Sequence, residues 1–471
     1  MAGEPQPLPK PAQKKFDRRI IDGPLRQAVW MLAWPTMLQN IFGGLQGVID
    51  HSMVGHYVGL NANAAIGVSL QIFILVIVFV ASVFSGMGVL VARFAGAGDS
   101  DAVNRTVYQA FLTAAFLSTG LLAPVGYFAA PWLLSLVNAA PDVQREALPY
   151  IRTMFVSSIG MLTFFMMSGA LRAAGDVQTT LRTGVAMTIA NVILNILLIP
   201  KYGTFGAALG TAIASVGTSG VLIWLLFSGR LVIRFSRGIS FKPDWPIIRE
   251  LFRFGLPTGI QGIAMNLAGL LMVRFIGSLQ HSAEAQAAYA VGYTELFSLI
   301  TWTSVGLMGA AAAVAGQNLG AGHPDRAAQS PAVAARIGLG VAAIVGLGFV
   351  LMPRVLLGAF ALTEGVGFEL GRQLLAYLAV SGFFVTVALC YTGGLQGTGD
   401  TKSPLYISIV SQVIVPVGLC SVIEATGDLA ASDIWLAIVL GHATRATLSV
   451  LRFQQGKWRN IRVAVPRPAA E

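Results

Sequence analysis

"LAWPTMLQNIFGGLQGVIDHSMVG", residues 32–55, decides the fold. It is an apolar, glycine-bearing run longer than the ~20 residues a helix needs to cross a bilayer. Near its end stands a carboxylate, Asp50. Working outward, the whole chain has the same character. Hydrophobic residues make up 55% of the 471 and charged residues 11%, against about 25% charged in a soluble domain. Twelve such blocks are counted, the first at 27–50 and the last at 432–451. Segments of about ten residues with strand alternation, the mark of a membrane β-barrel, are absent. The 53 glycines suit close helix packing in lipid. The expectation is an all-α polytopic membrane protein.

The net charge of +10 invites a nucleic-acid reading, but its placement argues otherwise. When the connections are assigned alternately to two sides, all but six of the 31 Lys and Arg fall on one side, six of them from Arg445 onward. The six on the other side are Arg145, Arg152, Lys201, Arg274, Arg354 and Arg372. Basic residues favour the cytoplasmic face, so both termini are expected there. The charge then serves topology and lipid headgroups. The Pro-rich start, within residues 1–26, is expected to be disordered. Cys390 and Cys420 are read as packing residues inside spans, and the five histidines show no metal-ligand spacing.

The chain is written twice. "LAWPTML" (32–38) recurs as "FGLPTGI" (254–260), "VARFAGAGD" (91–99) as "AGQNLGAGH" (315–323), and "GALRAAGDVQTT" (169–180) as "GGLQGTGDTKSP" (393–404). Pro35 thus aligns with Pro257, Gly98 with Gly322 and Gly175 with Gly399, and the register drifts by only two positions over half the protein. Six spans per half is an even number, so both halves enter from one side. The fold expected is twelve transmembrane helices in two parallel six-helix repeats, a layout common in transporters that rock two bundles about a central site. The expected organisation is a cytoplasmic N-terminus at 1–26, an N-lobe at 27–229, a linker at 230–253, a C-lobe at 254–455 and a tail at 456–471. "GAGD" (96–99) and "GTGD" (397–400) look like the signature of intramembrane aspartyl proteases. Each falls in a short connection, where Gly supplies a turn and Asp caps the next helix.

Gln39, Gly43, Gln46 and Asp50 are spaced by 4, 3 and 4, which puts them on one helical face. A polar stripe in a span must face protein or a watery cavity. Thr188, Asn191 and Asn195 make a second such face, and Thr211, Ser215 and Thr218 a third. At the repeat offset the first stripe maps to Gln261, Met265, Ala268 and Met272, and the asparagines map to Val415 and Leu419. One cation site, in the N-lobe only, accounts for this asymmetry. A carboxylate at that depth can take and release a proton. With oxygens of Asn191, Asn195 and Thr211 it can instead hold a hard cation such as Na⁺. Glu295 can attract a cationic substrate or pair with Arg274. The Met- and Phe-rich run at 154–169 is read as packing or lipid-facing.

These features together resemble the multidrug and toxic compound extrusion (MATE) family of cation-coupled efflux transporters. The residues that carry the resemblance are "WPTMLQNIFGGLQGVIDHSMVG", "GQNLGAGHPDRA" (316–327) and the "GALRAAGD"/"GGLQGTGD" pair, in family order over about 27–455. The resemblance implies two lobes around a central cavity and export of organic cations and other amphipathic small molecules in exchange for H⁺ or Na⁺. It places the coupling site at Asp50, Asn191 and Asn195, to which the polar faces add Thr211, and Gln39, Gln46, Gln261, Met265, Tyr293 and Glu295 are the candidates for the cavity wall. No cofactor beyond the coupling ion is implied, no metal beyond Na⁺ at Asp50, and no catalytic residue. The partners implied are small organic cations and the lipid bilayer, with no nucleic acid, and the protein is expected to be a monomer in the inner membrane.

Two departures from the family pattern bear on the coupling ion. One branch has carboxylates where this chain has Met265–Asn266 and Val385, which argues against a cation site in the C-lobe. Another has an acid where this chain has Asn195, so the loss of one negative charge inclines the coupling towards H⁺. The closest rival is a lipid-linked precursor flippase of the same superfamily, expected to have two more spans and a cationic cavity.

Overall fold

The computed structural model describes residues 16–137, 140–235 and 242–463. Residues 1–15 of the expected disordered start, 236–241 of the expected linker and 464–471 of the expected tail lie outside the described residues. Among the described residues the chain is helical throughout, with no strand. Nine helices are long and apolar enough to cross a membrane, and a pair bent by 50° (Pro141–Val156 with Ser158–Ala173) makes a tenth. The 51-residue helix Val177–Phe227 breaks at Gly203, where φ is 60° and ψ is −136°, and so supplies two spans. Leu25–Tyr57 is the twelfth, less apolar than the rest because it carries the polar stripe.

In chain order the spans are α1 (Leu25–Tyr57), α2 (Leu60–Ala81 with Val83–Gly96), α3 (Ser100–Ala115 to Ala123–Leu136) and α4 (the bent pair). Residues 177–202 and 204–227 form α5 and α6. The second half has α7 (Trp245–Gly277), α8 (Ser282–Tyr289 to Ser298–Gly320), α9 (Pro324–Leu351), α10 (Gly365–Gly397), α11 (Lys402–Ser408 to Val415–Thr426) and α12 (Ala431–Gln454). Pro35 and Pro257 both sit inside helices, α1 and α7. Each removes one backbone donor there, as membrane helices tolerate when neighbours re-satisfy the freed carbonyl.

One apolar core fills the first six spans and a second fills the last six. A third joins the halves, with Ala28, Leu32, Ala33 and Met37 of α1 against Leu307, Ala310, Ala311 and Val314 of α8. The seam between the halves obeys the repeat. A Cβ on Gly96 would strike the carbonyl of Gln317, and a Cβ on Gly320 would strike that of Arg93. These two contacts exchange under the repeat, which carries Gly96 to Gly320 and Arg93 to Gln317. Gly259 against Ser82 and Gly306 against Met37 form a second reciprocal pair. Such isologous contacts are what a pseudo-twofold axis along the membrane normal produces.

The glycine-containing connections behave as turns and caps. Gly98, Gly175, Gly322 and Gly399 have φ of 74°, 92°, 82° and 95°, a conformation only glycine adopts without strain. Asp99 and Asp176 accept from the backbone N–H groups of Ala102 and Thr179. Asp400 accepts from Ser403 and pairs with Arg452 at 2.9 Å. The Met/Phe-rich run is mainly packing: Met154, Phe155, Leu162, Phe164, Met166 and Met167 are buried, while Val156 and Phe165 are exposed on the outside of the bundle. Cys390 and Cys420 are buried free thiols.

Among the described residues the hydrogen bonds between the lobes gather at one end. At the end carrying the basic connections, Arg93 donates to the carbonyl of Thr398, Gln317 to that of Ala173, Asn318 to that of Ile20 and Arg326 to that of Gly23. Halfway along, Asn40 donates to the Trp302 carbonyl at 3.2 Å, beside the approach of Gly44 to the Trp302 ring. Beyond that level Gly43, Gly47 and Gly269 meet nothing within 4 Å. Among the described residues no hydrogen bond joins the two halves beyond that level.

Candidate functional site

The stripe on α1 docks along α5. Gln39 lies against Gly184, whose Cβ would sit 3.0 Å from Gln39 Nε2. One turn on, Thr188 Oγ1 donates to Gln46 Oε1 at 3.1 Å. At the end of the stripe, Asn195 Nδ2 donates to Asp50 Oδ1 at 2.6 Å. The spacing of 4, 3 and 4 is therefore a helix–helix register, matched by residues 184, 188 and 195 on the partner. Gly43 faces open space, so this stretch of α1 also borders the cleft between the lobes.

Around Asp50 the polar groups interlock. Asn191 and Asn195 are fully buried, with Asn195 Nδ2 3.3 Å from Asn191 Oδ1. Turning the Asn191 amide gives up that contact and places its nitrogen 3.1 Å from Asp50 Oδ1, with its oxygen accepting from Thr211 Oγ1 at 3.0 Å. Thr211 thereby ties α6 to α5. In this arrangement two amide donors converge on one carboxylate oxygen. Asp50 Oδ2 has no hydrogen-bond partner among the described residues, and neither does the buried Asn195 Oδ1.

Several residues carry no periodic signal. Tyr150 of α4 is buried in the core of the first half. His51 Nδ1 lies 2.7 Å from Asn63 Oδ1 and links α1 to α2 beside the site. Gly210 of α6 lets Asn195 in, since a Cβ there would overlap Asn195 Oδ1. A glycine that makes room for a neighbouring helix's amide cannot be told in sequence from the other glycines of the spans.

The cavity candidates divide. Gln39 and Gln46 join the Asp50 site. Gln261 is 5% exposed and donates to Ser408 Oγ at 2.8 Å, so its amide is engaged inside the second half. Met265 is partly buried on α7. Tyr293 stacks on Tyr289, with ring centroids 4.9 Å apart. Glu295 is exposed and forms no ion pair with Arg274 among the described residues; Arg274 lies over the ring of Phe275. At the position that mirrors Asp50, Met272 is buried in the apolar core of the second half.

Comparison with known proteins agrees with this layout. The family model MatE matches residues 35–197 and 257–421, two stretches that begin at the paired prolines of the repeat, Pro35 and Pro257. The chain is 26% identical over 444 residues to a probable multidrug resistance protein NorM of Thermotoga maritima, covering 92% of this chain and 93% of that one. It is 27% identical to a probable multidrug resistance protein NorM of Deinococcus radiodurans (90% and 94% covered) and 25% identical to a probable multidrug resistance protein YoeA of Bacillus subtilis (91% and 93%). Among solved structures, an outward-facing conformation of a multidrug resistance MATE family transporter superposes with a TM-score of 0.85 at 20% identity, covering 94% and 98% of the two chains. A MATE structure in the straight conformation gives 0.83 at 21% identity, covering 93% and 97%.

Proposed function

We propose, from the premise that this chain belongs to the MatE family of membrane transporters, that it is a secondary active exporter of cationic or amphipathic small molecules, driven by exchange for H⁺ or Na⁺. The observation that carries this reading is the single acid of the α1–α5–α6 nest, at the edge of a cleft whose lobes hydrogen-bond to each other at one end. The basic end of the molecule is assigned to the cytoplasm. In this reading both termini are inside, the protein is a monomer of the inner membrane, and the open cleft is on the outer side, as in the outward-facing relative.

In this reading Asp50 takes a cation from outside, its changed charge weakens the hold on a cationic substrate in the cleft, and the substrate leaves. Closure at the outer end and opening at the Gly96–Gln317 seam then deliver the cation inward. Proton coupling is the better supported choice. With the Asn191 amide turned as above, both asparagines present nitrogen to Asp50, whereas a Na⁺ ion would need their oxygens turned towards it. A proton on Oδ2 requires no rearrangement of the amides. Differential affinity between the two cleft states, not tight binding in either, is what makes such a cycle run.

The test is efflux of a cationic dye from proteoliposomes, driven in turn by a pH gradient and by a Na⁺ gradient. Wild type should export under the pH gradient and Asp50→Asn should not. Equal export by the variant would remove Asp50 from the mechanism. Export under a Na⁺ gradient alone would reverse the choice of ion.

A further inference from the structure

The second half buries a base, away from the position that mirrors the acid of the first half. Arg445 lies fourteen residues into the 24-residue α12, near the middle of its span, and is 3% exposed. A guanidinium keeps its charge there, and an unpaired charge buried in a membrane protein is costly. Yet among the described residues Arg445 makes no salt bridge and no hydrogen bond, and its Nε has no partner. The acids nearest along α12 are otherwise engaged. Asp433, twelve residues away, accepts from the backbone N–H of Ala430 at the start of the helix, and Asp400 is held by Arg452.

Around Arg445 the C-terminal half gathers polar groups from four helices. His442, one turn before it, lies 2.6 Å from Ser381 Oγ of α10. The Tyr293 ring of α8 is 6.5 Å from the His442 ring. Ser449 Oγ, one turn after Arg445, has no partner, and neither do Ser411 Oγ and Gln412 Nε2 of α11. The approach of α11 to α12 at Gly441 puts Gln412 on this face, 3.5 Å from where a Cβ of residue 441 would sit. Ser411 and Gln412 lie in the π-helical turn Ile409–Ile414, and Tyr293 in the π-helical turn Ala290–Leu296. Single π turns are often kept at functional sites because they re-aim side chains.

We propose that this part of the C-terminal half is a binding site for a compact monoanion, of which a halide is the simplest member. The guanidinium supplies the charge, and the Ser449 hydroxyl and Gln412 amide supply neutral donors. Water satisfies hydroxyls and amides but leaves a net charge buried; one anion satisfies both. The repeat partner of Arg445 in the first half is the exposed Val221.

The experiment is thermal unfolding of the purified full-length protein in sodium gluconate, titrated with chloride or bromide at constant ionic strength. Wild type should show a saturable rise in Tm of about 2 °C or more, and Arg445→Gln should lose it. No saturable rise in wild type, or the same rise in Arg445→Gln, overturns the proposal. Should Arg445→Gln fail to fold, crystals of wild type soaked in bromide decide. An anomalous peak within hydrogen-bonding distance of the Arg445 guanidinium supports the site, and its absence at the concentration that saturates the Tm shift overturns it. Neither readout involves transport, so the outcome is independent of the efflux reading.

Discussion

The two six-helix halves share a backbone plan and a closing seam, yet their interiors carry opposite chemistry. The first half buries two asparagines around Asp50; the second fills the mirrored position with Met272 and buries Arg445 and His442 elsewhere. By contrast the seam is duplicated residue for residue, Gly96 on Gln317 and Gly320 on Arg93. Closing two lobes together needs matched surfaces, so that part of the repeat stays symmetric. A cation needs one site, so the interiors are free to differ. Symmetry here marks the moving parts and asymmetry marks the chemistry.

The largest expected effect tests that asymmetry directly. Asp50→Asn should reduce gradient-driven dye efflux to the level of empty liposomes. Met272→Asp, made in that background, should restore nothing, because Val415 and Leu419 stand where the amides would be. An acid amid that apolar core should also lower stability by about 3 kcal/mol. Rescue of efflux by Met272→Asp would show that the halves are interchangeable and break the comparison.

The seam comes next. Gly96→Val and Gly320→Val should each force the closed end apart, with a cost of about 1–3 kcal/mol for overpacking. Spin labels across that end should report a larger separation in both variants, and by a similar amount. A shift in one variant alone would show that the seam is symmetric in shape but not in energy.

Sequence carries these two kinds of information unequally. Span count, the repeat and the Asp50 stripe are legible because each is a pattern along one chain: apolar length, recurrence at a nearly constant offset, and spacing by 4, 3 and 4. The partners across helices are only partly so. Asn191 and Asn195 announce themselves by their own spacing, but Gly210 does not, since what it does depends on a neighbouring helix. Arg445 misleads for a related reason. Near the C-terminal end of the chain it counts as one more basic residue of the cytoplasmic side, and only the packing of α12 against α8, α10 and α11 shows that it is enclosed. Gln261 likewise reads as part of a cavity wall, while its amide is bonded to Ser408 in this structure.

A smaller effect is expected where geometry is altered without removing the acid. Gly210→Ala would push Asn195 off Asp50. Losing one charge-assisted hydrogen bond, worth about 1.5–3 kcal/mol, should move the pH at which efflux is half-maximal. The repeat counterpart is already a large side chain, the buried Ile434. Trimming it with Ile434→Val should leave that pH unchanged and lower stability by about 1 kcal/mol. A change in pH profile from both variants would sink the claim that only the first half handles the cation.

The smallest expected effect bears on a place, halfway along, where the seam departs from symmetry. Asn40 of α1 donates to the Trp302 carbonyl of α8, while its repeat counterpart Gly262 of α7 merely touches the side chain of Val78. The α1–α8 contact therefore has a hydrogen bond that the α7–α2 contact lacks, at the level where the cleft begins. Asn40→Ala should cost about 0.5–1.5 kcal/mol of the closed arrangement, seen as a faster exchange of the Trp302 region with deuterium and a modest rise in efflux rate if opening at that level limits turnover. Gly262→Ala has room against Val78 and should change neither. If Asn40→Ala leaves exchange untouched, the hydrogen bond is incidental, the two seams are equivalent, and all the asymmetry of the molecule resides in the lobe interiors.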